Sequence, residues 1–145
     1  MDLRNALTKF MADALYLPKF QDVACLVSDS VSDILYIRGD QTPTGRWRVA
    51  KADPFSTKMP AVGILFSKLT PTTGVMVIGG PVENMFTGLD ITKPTFVGAN
   101  GALVQTSPPP PGFGSLVRVQ RFGFPIAADV LWLTGEVGQM IVRRG

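Results

Sequence analysis

The spacing of apolar residues changes near residue 18 of this chain. Over residues 2–17 the apolar side chains follow the i, i+4, i+7, i+8 spacing of one helical stripe, formed by Leu3, Leu7, Phe10, Met11 and Ala14. Asp2 can cap the start of this helix, and Pro18 ends it because proline has no amide hydrogen to donate. The pattern therefore predicts an amphipathic N-terminal helical arm over residues 1–18.

Beyond residue 18 the pattern predicts short β-strands. Apolar runs and alternating positions are separated by glycine- and proline-rich turns, and the predicted strands lie at residues 23–27, 34–38, 46–50, 61–66, 75–78, 85–86, 95–97, 103–105, 116–121, 130–133 and 140–142. Strands at this spacing are typical of a sandwich or a barrel. We therefore expect a mainly β chain, with a single antiparallel β-sandwich or barrel-like domain over residues 19–145.

Two sequences predict local geometry. The Asn-Gly pair at residues 100–101 favours a two-residue type I′ hairpin turn, because both residue types tolerate positive φ. From Val117 onward apolar and polar residues alternate. Val117 and Val119 should therefore face the core, with Arg118 and Gln120 on the solvent side.

Four consecutive prolines stand at residues 108–111, and they include Pro109 and Pro110. Such a run favours a stiff polyproline II segment, which could be a ligand for an aromatic-lined groove. It could equally be a rigid connector, since proline cannot donate to the ladder of a central strand. We favour the connector, because predicted strands lie on both sides and no basic residue flanks the prolines closely.

The composition bears on partners. Charged residues make up 17% of the chain and hydrophobic residues 46%, whereas about 25% charged is usual. The low charge suggests that partners cover part of the surface, although a monomer with a polar, uncharged surface would fit as well. The net charge of +3 comes from scattered basic residues, so we expect no specific nucleic-acid partner. No apolar run approaches about 18 residues, so we expect no membrane partner.

The candidate chemistry is sparse. Histidine is absent, which removes the commonest general base and transition-metal ligand, and the one cysteine, Cys25, lies in an apolar run that predicts a buried, inert thiol. The carboxylates of Asp29, Asp33, Asp40 and Asp53 lie in turn-like sequence, where structural roles suffice. We therefore predict a protein that is not an enzyme, with no catalytic residue, metal or cofactor. A hydrolase that uses a carboxylate pair stays open as an alternative.

Trp47 stands between two arginines, Arg46 and Arg48. This triplet could stack on a base or a sugar, which would make the chain a glycan- or nucleic-acid-binding module. A strand residue whose ring enters the core, flanked by exposed arginines, explains the same triplet. We favour the core interpretation and keep the binding module as a remote alternative.

A series of short motifs occurs in a fixed order between residues 47 and 133. The motifs are Ala52-Asp53, Met-Pro-Ala-Val-Gly-Ile at 59–64, Gly88-Leu89-Asp90, Phe-Val-Gly-Ala-Asn-Gly-Ala-Leu at 96–103, Thr-Ser-Pro-Pro at 106–109, Val-Gln-Arg-Phe-Gly-Phe at 119–124 and Asp-Val-Leu-Trp-Leu at 129–133. In this order they resemble the small β-rich structural proteins of tailed bacteriophages, such as capsid cement or decoration proteins and head-fibre or tail components. The arm and the tail after residue 135 lie outside the resemblance.

The resemblance implies a structural virion protein. It points first to a capsid cement or decoration protein on the capsid surface, assembled in the host cytoplasm, that binds the major capsid protein across subunit junctions and self-associates as a homotrimer. A tail, baseplate or fibre-adaptor protein, bound to other virion proteins, is the alternative. The helix could pack on its own domain or dock on a neighbour. The candidate partner-binding residues are Leu3, Leu7, Phe10, Met11, Trp47, Pro109 and Pro110.

Overall fold

The structure is a computed structural model that describes residues 18–109, 111–134 and 140–144. These residues form strands and one 3-10 turn: β1 Lys19–Ala24, β2 Ile34–Gln41, β3 Trp47–Lys51, β4 Ala61–Thr70, β5 Thr73–Glu83, β6 Phe96–Val97, the turn Ala99–Gly101, β7 Leu103–Val104, β8 Leu116–Gln120, β9 Phe124–Ala127, β10 Val130–Leu133 and β11 Met140–Arg144. The mainly β class is confirmed. The helix predicted over residues 2–17 lies outside the described residues.

Some strand positions differ from the sequence prediction. β1 begins and ends earlier than the predicted strand at residues 23–27, and β9 was not predicted. Residues 85–86 form a bend and no strand. The β1 residues before Val23 are polar or partly exposed and gave no apolar signal. The apolar run at residues 23–27, from which the strand was predicted, therefore begins at the end of β1 and not at its centre.

Five strands pair in a closed ring. The order is β1-β3-β2-β4-β5, and β5 pairs again with β1. The β1–β3 pair is parallel and the other four pairs are antiparallel. β5 is long enough to serve two neighbours, because Thr73 to Gly79 face β1 whereas Gly80 to Glu83 pair with β10. β9 then extends the sheet from β10.

The side chains inside the ring form one apolar cluster. Each ring strand contributes one buried residue, namely Val23, Leu35, Val49, Leu65 and Met76, and Cys25 joins them. This inner cluster follows from the period of two along a strand, since the next residue on each strand points to the opposite face. Burial of each such side chain contributes about 1.5–3 kcal/mol before ordering costs.

A second apolar cluster covers the outside of β2, β4 and β5. Ile34, Ile64 and Val77 stand next in sequence to inner-cluster residues and point outward. Leu131 on β10 and Phe122 cover them. Where both faces of these strands are buried, at residues 34–35, 64–65 and 76–77, consecutive apolar residues stand in the sequence.

The hairpin at residues 100–101 is confirmed, but its predicted turn type is wrong. Asn100 and Gly101 have positive φ of 54° and 76°, as expected. The loop, however, encloses three residues and is closed by the Gly98 N–H, which donates to Ala102 O at 2.7 Å. Gly101 also donates to Ala52 O at 2.7 Å, so a contact with another part of the fold selects this wider loop.

The alternation predicted for β8 is correct for its valines and wrong for Gln120. Val117 and Val119 are buried, and Arg118 is half-exposed. Gln120 is 0% exposed; its Oε1 accepts from Ala61 N at 2.8 Å and its Nε2 donates to Ala61 O at 2.9 Å. Ala61 pairs with Tyr36 on β2, but the pairing of β4 with β5 extends only to Ile64, so the side-chain amide takes the place of a β5 partner at Ala61.

Candidate interaction surface

An apolar groove lies beside two aromatic rings. Phe20 on β1 and Phe66 on β4 have ring centroids 5.0 Å apart, and the two residues are 46% and 44% exposed. Next to them is a cavity of about 410 Å³ lined by Pro18, Phe66, Val77, Pro81, Val82, Glu83 and Asn84. We call Phe20 together with these lining residues the aromatic groove. It offers a shallow apolar seat with one acidic residue at its border.

Phe66 lies at an irregularity in β4 and points to the surface. The register of β4 against β5 shifts between Leu65 and Ser67, and Leu65 is buried while Phe66 points outward. Sequence reasoning did not single out Phe20 or Phe66. The available signal was the apolar run Ile-Leu-Phe at residues 64–66, because alternation sends one of three consecutive side chains out of any single cluster.

The aromatic groove begins where the predicted arm joins the domain. Pro18 lines the groove and directly follows residues 1–17. The stripe residues Leu3, Leu7, Phe10 and Met11 lie outside the described residues. The aromatic groove therefore begins directly after, in sequence, a segment whose apolar residues form the predicted helical stripe.

A second apolar region lies on β11. All five residues of Met140–Arg144 are exposed, with Met140, Ile141 and Val142 between 39% and 48%. Within the described ranges β11 pairs with β8 alone, so its other edge offers unpaired backbone groups. An exposed apolar edge strand is a template for pairing with another chain.

Trp47 is half-buried and packs against the inner cluster from its edge. Its neighbours Arg46 and Arg48 are partly exposed, and Arg48 Nη1 donates to Asp40 O at 3.3 Å.

Within the proline run Pro108 is buried and Pro109 is exposed, and neither lies in a strand, which agrees with a connector. Pro110 lies outside the described residues. Trp47 and Pro109 belong to separate segments, one on β3 and the other after β7.

Three of the four predicted turn carboxylates bind backbone N–H groups. Asp29 Oδ2 accepts from Leu26 N at 2.7 Å, and the carboxylate is buried. Asp33 Oδ2 accepts from Ser30 N at 2.7 Å in the next turn. Asp53 Oδ1 accepts from the N–H two residues later at 3.0 Å. These local bonds account for the three acids as turn-forming groups.

Cys25 is buried, as predicted. Desolvation by burial is the largest influence on its thiol and raises its pKa, while the nearby charge of Lys68 works in the opposite direction. At Asp90, hydrogen bonds from the hydroxyl and the N–H of Thr92 lower the pKa of the carboxyl. The raised thiol pKa favours the unreactive protonated form.

The described ranges show neither a cluster of metal-ligating side chains nor a helix fit to cross a membrane. No group of three or more His, Cys, Asp or Glu side chains there is placed to hold a metal ion. None of the helices in this part of the chain has the length and apolar character to span a bilayer.

Comparison of the chain with protein-family models, with curated proteins and with solved structures finds no match. The resemblance to phage proteins therefore rests on the sequence motifs alone and stays a prediction.

Proposed function

We propose that this protein is a non-enzymatic structural component of a bacteriophage virion. Its most specific form is a capsid cement or decoration protein that self-associates, as a trimer, and binds the major capsid protein across subunit junctions. We also infer that the domain is barrel-like and not a sandwich, because five strands close a ring around one apolar cluster. In this proposal the protein works by binding other proteins through its surface, and it catalyses no reaction.

The observation that carries the proposal is the apolar surface left uncovered on the described chain. The aromatic groove and the β11 edge expose several large side chains at 39–48% of their area. Contiguous exposed apolar area on a small domain is typical of protein interfaces. The low share of charged residues, 17%, fits a protein whose surface is largely covered in an assembly.

The occupant that we propose for the aromatic groove is the arm of a second copy. As the helix that the sequence predicts, a rise of about 1.5 Å per residue would put Leu3 roughly 22 Å along the arm from Pro18. If the arm is straight, the far end of its apolar stripe would therefore lie away from the groove of its own copy, which begins at Pro18. If several copies assembled with closed symmetry and exchanged arms, the apolar stripe of each arm would pack into the aromatic groove of a neighbouring copy and cover it.

Oligomeric mass tests the exchange of arms in the full-length chain. Light scattering after size exclusion should give an oligomer for the wild type and a monomer for Phe66→Ser and for Leu7→Ser combined with Phe10→Ser. Phe113→Ser is the matched control for the groove, because Phe113 is 100% exposed and lies elsewhere. Far-UV circular dichroism shows whether each variant keeps its strands.

A monomeric wild type at high concentration would overturn self-association. An oligomer that survives both sets of substitutions would place the interface elsewhere, for example on β11.

The location of the protein in purified particles tests the virion assignment separately. Labelled protein should decorate the head shell in electron micrographs of purified particles; label confined to the tail would favour the tail or baseplate alternative, and its absence from particles would refute a virion role.

A further inference from the structure

An arginine-lined cavity lies at one end of the ring, away from the aromatic groove. It has a volume of about 420 Å³, and the end of β1, the β2–β3 hairpin and the β4–β5 turn border it. Among the described residues that line it, two carry charge, and both are arginines. The polar and charged side chains of the lining are Arg38, Arg46, Thr42, Thr44, Thr72, Thr73 and Cys25. The lining thus supplies positive charge and hydroxyl groups without a carboxylate.

Arg46 carries an unmatched donor. Its Nη1 is buried and has no hydrogen-bond partner in the part of the chain that the structure describes. A buried donor on a charged group is costly unless it meets an acceptor. The backbone around it is fixed, because Arg46 N donates to Thr42 Oγ1 at 3.1 Å and Arg46 O accepts from Thr42 N at 2.8 Å.

Arg38 is held from the neighbouring strand. Its Nε donates to Val49 O at 2.9 Å, which orients the guanidinium and leaves its terminal amino groups for a ligand. The ion pairs found within the described ranges are Lys51–Asp33 and Lys93–Asp90, so neither arginine of the cavity is neutralised there. Two cations that share one partly enclosed space favour an anion between them.

The donors indicate the kind of anion. They come from separate segments, the β2–β3 hairpin and the β4–β5 turn, and combine guanidinium groups with hydroxyls. Arginine forks and hydroxyls together are well suited to the several oxygens of a tetrahedral oxyanion. We propose that this cavity binds a phosphate-type oxyanion, either a free ion or the phosphate group of a larger ligand, and that Arg38 and Arg46 hold it. This binding site is independent of the virion role.

Titration of the full-length protein with inorganic phosphate, followed by calorimetry, tests the site. Arg46→Met and Arg38→Met remove the charge but keep most of the side-chain stem. Each should weaken binding by about ten-fold or more, the loss expected for a hydrogen bond to a charged group. Arg48→Met is the matched control, because Arg48 lies on β3 only two residues from Arg46, donates to Asp40 O and does not line the cavity. Its affinity should equal that of the wild type.

Chloride at equal ionic strength separates binding from screening, and glycerol phosphate separates the two sources of the ligand. Equal affinity for glycerol phosphate would indicate a phosphate monoester, whereas phosphate alone would indicate the free ion. If Arg46→Met fails to fold by circular dichroism, Arg38→Met carries the test. Absence of saturable phosphate binding by the wild type, or an equal loss in Arg48→Met, would overturn the proposal.

Discussion

Replacing Gln120 by methionine should destabilise the fold far more than the loss of one polar side chain usually does. The Gln120 side chain is 0% exposed, and both of its amide atoms bond the backbone of Ala61, at 2.8 and 2.9 Å. Ala61 is itself 0% exposed, so no water can replace these bonds. In Gln120→Met the N–H and the C=O of Ala61 each lose their partner. At about 1–3 kcal/mol for each of the two buried groups left without a partner, the free energy of unfolding should fall by about 2–6 kcal/mol.

Gln105 offers a matched control within the same chain. Its Oε1 accepts from Asp90 N at 2.9 Å and its Nε2 donates to Asp90 O at 2.8 Å, so it makes the same pair of bonds to one residue. This site is only partly buried, and water can reach the freed groups. Gln105→Met should therefore cost about 0.5–1.5 kcal/mol.

Urea unfolding measures both variants, with the difference taken from the transition midpoints at equal m-values. Hydrogen exchange of the Ala61 amide gives a second readout, since its protection should fall in Gln120→Met and stay unchanged in Gln105→Met. Equal losses of stability in the two variants, or unchanged protection of the Ala61 amide, would refute the reasoning that the buried pair of bonds replaces a β5 partner.

Two further predictions concern Gly123 and Cys25. Gly123→Ala should lower the free energy of unfolding by more than Gly114→Ala, because both glycines have positive φ but only at Gly123 would a Cβ meet Trp132 O at 2.7 Å; equal unfolding midpoints in urea for the two variants would contradict this. Cys25 should react with a thiol reagent near pH 8 much more slowly in the folded protein than in urea, since burial raises the pKa of its thiol; equal labelling rates in the two states would show that the thiol is accessible and ionised.

Several features of this protein follow from the sequence alone, because they depend on neighbouring residues. Strand spacing and glycine-rich turns predicted the mainly β class, and an Asn-Gly pair predicted positive φ at Asn100 and Gly101. The turn roles of Asp29 and Asp33 were also predictable, since each carboxylate bonds an N–H three residues away. The sequence also predicted that the prolines at 108, 109 and 111 lie outside the strands, because proline has no donor for a ladder.

The tertiary structure decided what depends on residues distant in the chain. The ring closes because β5 pairs with β4 on one side and with β1 on the other, and no local pattern encodes that choice. The Gln120 amide is held by Ala61, 59 residues away, because β4 has no β5 partner at that position. The cavity of Arg38 and Arg46 exists because the ring brings the β2–β3 hairpin beside the β4–β5 turn. The alternation of side chains along a strand predicts which residues share a face of the sheet. Only the tertiary packing determines whether another part of the chain covers that face, and which part does so.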